Sequence, residues 1–157
     1  MYPVTFLDEA PRRLIGLRHV GPYARIGLSF GPLGAELARQ GLWPQVRSLV
    51  AVYDDDPLYV APEALRAFIG AVVGPETPCL PPLHERRLTG GRHAAITVSG
   101  PYSGLPAAHD WLFGPWLAKS DEDLRGEPAF ELYLNTPADT APEDLRTLLL
   151  LPVKERP

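Results

Sequence analysis

Along residues 130–135 apolar and other side chains alternate, Phe130-Glu131-Leu132-Tyr133-Leu134-Asn135, with Pro128 and Pro137 at the borders. A period of two marks a strand and sends successive side chains to opposite faces. Phe130, Leu132 and Leu134 therefore share one face, and Glu131, Tyr133 and Asn135 the other. A similar run, Val50-Ala51-Val52-Tyr53, stands 80 positions earlier, with alanine in place of the glutamate. Residues 13–20 and 92–99 read as further strands, ending at Gly21-Pro22-Tyr23 and Gly100-Pro101-Tyr102. Ile26, Phe30, Leu33 and Leu37 lie near helical spacing and predict a helix over 23–40, stopped by Gly41. Gly31-Pro32 should kink or interrupt it. A second helix is expected over 106–119, again with a Gly-Pro pair, Gly114-Pro115, inside. Strands are expected at 48–54, 65–73, 129–135 and 145–153, of which 65–73 is apolar on both faces. Short strands near 4–7 and 83–88 precede this series in each half.

The order strand–helix–strand–strand thus occurs twice, and the residues repeat with it. Tyr53, Pro57, Ala61, Pro62, Glu63, Leu65, Arg66 and Val73 each meet the identical residue 80 positions on. Average composition would give roughly one or two such matches in that window. The Gly-Pro-Tyr blocks are 79 residues apart, so two separate stretches keep one spacing. This argues for duplication within a single domain over residues 1–157: a first copy over about 1–73, a linker at 74–82 and a second copy over about 83–157. Four prolines and a glycine exclude helix or central strand in the linker. With no crossover helix between the last two strands of each copy, pairing should be antiparallel. The expected fold is α+β: two strand-helix-strand-strand repeats about a pseudo-twofold axis, forming one mostly antiparallel sheet with two helices. A furrow along that axis would suit a small ligand.

Composition narrows the function classes. A net charge of −4 and a pI near 5.5 leave no electrostatic footprint for nucleic acid. No apolar run approaches the roughly 20 residues a bilayer span needs, and the N-terminus lacks a signal-peptide pattern. One cysteine, Cys79, excludes an internal disulfide framework and fits a reducing compartment. The expectation is a cytoplasmic protein with no membrane contact.

Several blocks together resemble the GyrI-like family, the effector-binding domain attached to some multidrug-responding and AraC-type transcription regulators. They are Gly-Pro-Tyr after the first strand, Tyr53-Asp54-Asp55-Asp56-Pro57, Ala61-Pro62-Glu63-Ala64-Leu65-Arg66 and Gly90-Gly91-Arg92. Trp111-Leu112-Phe113-Gly114-Pro115-Trp116-Leu117 and residues 130–137 complete the set. The resemblance implies a duplicated fold that takes bulky, often cationic or aromatic, compounds against a glutamate on the sheet. By position that glutamate is Glu131. It also implies a stand-alone binder, without the DNA-binding domain some members carry, that senses or sequesters its ligand. Two alternatives come from other branches: hydrolysis of cyclopropane-bearing toxins, with Glu131 as general acid or base, and inhibition of DNA gyrase as a protein partner. Phe68 and Leu148 stand where the family leads one to expect an acidic residue, which predicts a more apolar cleft.

Glu131 heads the candidate ligand-binding residues, since a carboxylate among apolar neighbours is costly to desolvate unless partnered or kept for a purpose. The competing reading is a solvated or arginine-paired carboxylate. Tyr133 and Tyr53 occupy the Glu131 face of corresponding strands, and Trp111 and Trp116 lie on the second helix; aromatic faces around one carboxylate would suit a cation. On a regular helix, positions five apart point some 140° from each other, so Trp111 and Trp116 share a cleft only if Gly114-Pro115 distorts the turn. Tyr23 and Tyr102 should fix the start of each helix, with ligand contact as their second role. Glu63 with Arg66, and Glu143 with Arg146, read as short-range ion pairs at turns. No metal site or cofactor is expected: His19, His84, His93 and His109 show no ligand spacing with Cys79 or each other, and no phosphate-binding loop or nucleophile elbow occurs.

Overall fold

The computed structural model describes residues 1–157 and is α+β, with eight strands whose pairings within each compact unit are antiparallel. The chain divides into two compact units, one of residues 10–90 and one of residues 1–9 with 91–157. No helix is long and apolar enough to cross a membrane.

In the unit of residues 10–90 the strands are β2 (Arg12–Val20), β3 (Ser48–Tyr53), β4 (Arg66–Val73) and β5 (His84–Leu88), in the order β3-β4-β2-β5. β4 is the central strand, and Ala67 to Val73 are all buried, as its two-sided apolar pattern requires. Gly16 of β2 faces Gly70 of β4, and a Cβ at Gly16 would stand 2.1 Å from the Ile69 carbonyl oxygen. The two backbones approach that closely only because neither residue has a side chain. The expected helix is divided. Tyr23–Ser29 is a 3₁₀ turn and α1 runs Phe30–Arg39, burying Leu33 and Leu37. Gly31-Pro32 therefore falls in the first turn of α1, where backbone donors have no intrahelical partner and proline costs nothing.

In the other unit the strands are β1 (Thr5–Glu9), β6 (Gly91–Ser99), β7 (Ala129–Tyr133) and β8 (Arg146–Pro152), in the order β1-β6-β8-β7. The short leading strands lie apart from the residues that follow them in sequence: β1 pairs with β6, from Thr5 opposite Ala95 to Glu9 opposite Gly91, while β5 pairs with β2. The helical stretch comprises α2 (Leu105–Trp111), one π-helical turn over Leu112–Trp116 and α3 (Leu117–Lys119). Pro115 inside that turn explains it. Proline removes one backbone donor and collides with the carbonyl four residues back, and the wider i→i+5 turn relieves both.

Both Gly-Pro turns are built alike. Gly21 and Gly100 take φ of 134° and 112°, which disfavours any residue with a side chain, and each donates its N–H over 2.8 Å, to Leu65 and Leu145 respectively. The ion pairs expected at the following turns do not form. Arg66 instead makes a two-pronged contact with Asp55, at 2.8 and 2.9 Å, because Glu63 sits on an exposed 3₁₀ turn while the 54–56 segment runs beside the start of β4. Asn135 holds the same relation to Arg146, accepting its backbone N–H at 2.8 Å.

Candidate ligand site

Glu131 lies in the middle of β7, a strand whose five residues are all buried, and is itself 1% exposed. Strand alternation puts Tyr133 on its side, and the Tyr133 hydroxyl donates to Glu131 Oε2 at 2.6 Å. The other oxygen, Oε1, meets His109 Nε2 of α2 at 2.5 Å. Glu131 is thus buried, and its hydrogen-bond partners are a phenol and an imidazole. Leu105 and Ala108 of α2 and Leu112 of the following π turn form a buried stripe, and His109 stands on its edge, one turn after Leu105. The imidazole is held from outside by Phe113, whose ring stacks on it at 6.2 Å and 14°. Phe113 is partly exposed.

Tyr102 closes a third side. Its ring meets that of Tyr133 edge to face at 5.4 Å. Burial, and after it the charge of Glu131, push its phenol above the ordinary tyrosine value. Tyr23 and Tyr53 of the other unit make the corresponding edge-to-face pair at 4.9 Å. The Tyr23 hydroxyl, unlike that of Tyr102, is fully engaged by backbone: it reaches the carbonyls of Arg66 and Asp55 at 2.7 and 2.8 Å and accepts the Asp55 N–H at 3.0 Å. Ala51, the counterpart of Glu131, is buried and brings no charge. The acidic group of position 131 thus has no equivalent at position 51.

The two tryptophans of the second helical stretch serve a different front. Trp111 packs edge to face on Tyr2 at 5.4 Å, and Trp116 lies 6.2 Å from Phe6 of β1. The π turn brings positions five apart toward one side, so both indoles meet the N-terminal segment. Arg92 lies over the Phe6 ring, 4.3 Å from its centre. Phe68, where an acid was expected, is buried beneath the Arg86 guanidinium at 5.6 Å; Leu148 is half-buried between β6 and β7. The three aspartates after Tyr53 are each used within the fold: Asp54 by Arg86, Asp55 by Arg66, and Asp56 by the Leu58 N–H at 2.8 Å.

Residues 2–154 match the family described as the GyrI-like small molecule binding domain. The chain belongs to this family. A DNA gyrase inhibitor of Edwardsiella ictaluri is 32% identical over 146 residues, which span 84% of this chain and 86% of the relative. Among solved structures, the C-terminal domain of EcmrR superposes with a TM-score of 0.77 at 14% identity, covering 99% of both chains. The longer EcmrR chain, solved with DNA, is 58% covered at a TM-score of 0.75 and 16% identity. SAV2435 in its complex with tetraphenylphosphonium superposes with a TM-score of 0.70 at 15% identity, covering 98% of this chain and 94% of that one. These structures share the fold.

Proposed function

We propose that this GyrI-like domain binds bulky hydrophobic cations for sensing or sequestration, with Glu131 as the counter-charge and Tyr133 and Tyr102 as aromatic company. The observation that carries the reading is a carboxylate 1% exposed with no lysine or arginine among its hydrogen-bond partners. Burying a charge costs several kcal/mol, by order of magnitude, and a cationic guest offsets it. Attraction also strengthens as water is excluded. The tetraphenylphosphonium held by SAV2435 is of this chemical class.

The test is a thermal shift series with tetraphenylphosphonium, run on the natural chain and on Glu131→Gln. A ligand that binds only the folded state at a hundred times its Kd adds about 2.7 kcal/mol of stability. Stabilisation of the natural chain that disappears in Glu131→Gln supports the reading; equal stabilisation of both refutes it. If a reactive cyclopropane compound is instead turned over, and turnover stops in Glu131→Gln, the glutamate acts as a general acid or base. A second reading, inhibition of DNA gyrase, is favoured by the Edwardsiella relative. Loss of gyrase supercoiling activity on adding the purified chain would support it.

A further inference from the structure

Where β6 and β7 end and β8 begins, the unit of residues 1–9 and 91–157 carries an open cavity of about 530 Å³. Glu143, Asp144 and Arg146 line it, together with Ser99, Thr140, Asn135 and Leu134. None of these is a hydrogen-bond partner of Glu131. The stretch 80 positions earlier shows what is particular about this wall. There Arg66 is neutralised by Asp55, which also accepts the Arg66 backbone N–H at 2.8 Å. Asn135 keeps only the backbone half of that arrangement. Its Oδ1 accepts the Arg146 N–H at 2.8 Å and its Nδ2 donates to the Asp144 carbonyl at 3.1 Å, but it brings no charge to the guanidinium. The exposed Arg146 side chain is therefore left for another carboxylate. Val20, Val60 and Ala64 correspond to Ser99, Thr140 and Asp144, so three further positions are polar around the cavity and apolar in the earlier stretch.

We propose that this cavity binds short zwitterionic peptides, with the C-terminal carboxylate on Arg146 and the N-terminal ammonium on Glu143 and Asp144. All three side chains are in water, so at pH 7 the wall carries one positive and two negative charges. A simple anion meets two like charges and a simple cation meets one, whereas a molecule charged at both ends finds a complement at each. A guanidinium takes a carboxylate with two parallel N–H donors. The Thr140 hydroxyl donates to Asp139 at 2.9 Å and so turns an acceptor to a peptide N–H, and the exposed Leu134 offers apolar contact to a side chain. The volume falls in the range of pockets for drug-sized ligands, more than a free amino acid fills. The site is separate from Glu131, and the proposal does not depend on the role of that residue.

The experiment titrates the ¹⁵N-labelled full chain with glycyl-leucine and follows amide chemical shifts. Matched probes remove one charge at a time: N-acetyl-glycyl-leucine lacks the ammonium, and glycyl-leucine amide lacks the carboxylate. Shifts should concentrate at Asn135, Thr140 and Arg146, and each capped compound should bind about fivefold or more weakly than the dipeptide. Free leucine should also bind more weakly. Arg146→Gln should bring glycyl-leucine and its amide to parity, because the carboxylate then has no partner. The double change Glu143→Gln with Asp144→Asn should do the same for glycyl-leucine and its acetylated form. The only hydrogen bonds these three residues make within the chain use their backbone, so the variants keep the fold, which their own spectra verify. Equal binding of all three probes, ratios unchanged in both variants, shifts centred elsewhere, or no shifts at millimolar dipeptide would each overturn the proposal.

Discussion

Tyr23 and Tyr102 hold corresponding places after their Gly-Pro turns, yet removing the hydroxyl should have very different consequences. In Tyr23→Phe, the N–H and carbonyl of Asp55 lose the partner they share. The Arg66 carbonyl keeps a second donor, the Asp54 N–H at 3.0 Å. Two backbone groups are therefore left short in a half-buried setting, and at about 1 kcal/mol per hydrogen bond the loss is about 1–2 kcal/mol. For a chain of this size that lowers Tm by about 2–8 °C. Tyr102→Phe removes a hydroxyl that makes no hydrogen bond within the chain, so the change should stay within about 0.5 kcal/mol. Differential scanning calorimetry of both variants at neutral pH reads the contrast directly. Equal losses, or a larger loss in Tyr102→Phe, would refute the assignment of Tyr23 as the clasp of the 54–56 segment.

Two further outcomes follow from the packing and the charges. Gly16→Ala places a methyl group against the Ile69 backbone and should cost about 1–3 kcal/mol or more in urea unfolding, whereas Gly104→Ala, with open space around it, should be nearly neutral. Glu122 is held below the usual carboxylate range by Arg92 first and Arg156 next. A depressed folded value means the contribution is complete above the unfolded value, about 4.3, and fades as pH falls through the folded one. Between pH 5 and pH 3 the Tm of the natural chain should therefore fall further than that of Glu122→Gln, and parallel curves would contradict this.

The strands, both Gly-Pro turns and the Glu131–Tyr133 face were legible because each depends on neighbours in sequence: alternation, a positive φ, a period of two. His109 was not. Screening histidines for metal spacing compares them with one another, and its partner lies 22 residues on, across another element. Its position on the edge of the Leu105, Ala108, Leu112 stripe was the available signal. The divergence expected of Trp111 and Trp116 assumed 3.6 residues per turn, and Pro115 made that assumption fail. Arg66 found Asp55 rather than Glu63 because a chain reversal placed a residue eleven back nearer than one three back. Likewise, the apolar pattern of residues 4–7 suggests a strand but carries nothing that names β6 as its partner.

That last pairing bears on the order of assembly during synthesis. Residues 10–90 are one unbroken run, so this unit has all its strands once the ribosome has released the first half. The sheet around Glu131 draws its edge from the first nine residues and the rest from position 91 onward. Its earliest-made strand must wait, unpaired, until β6 has been made.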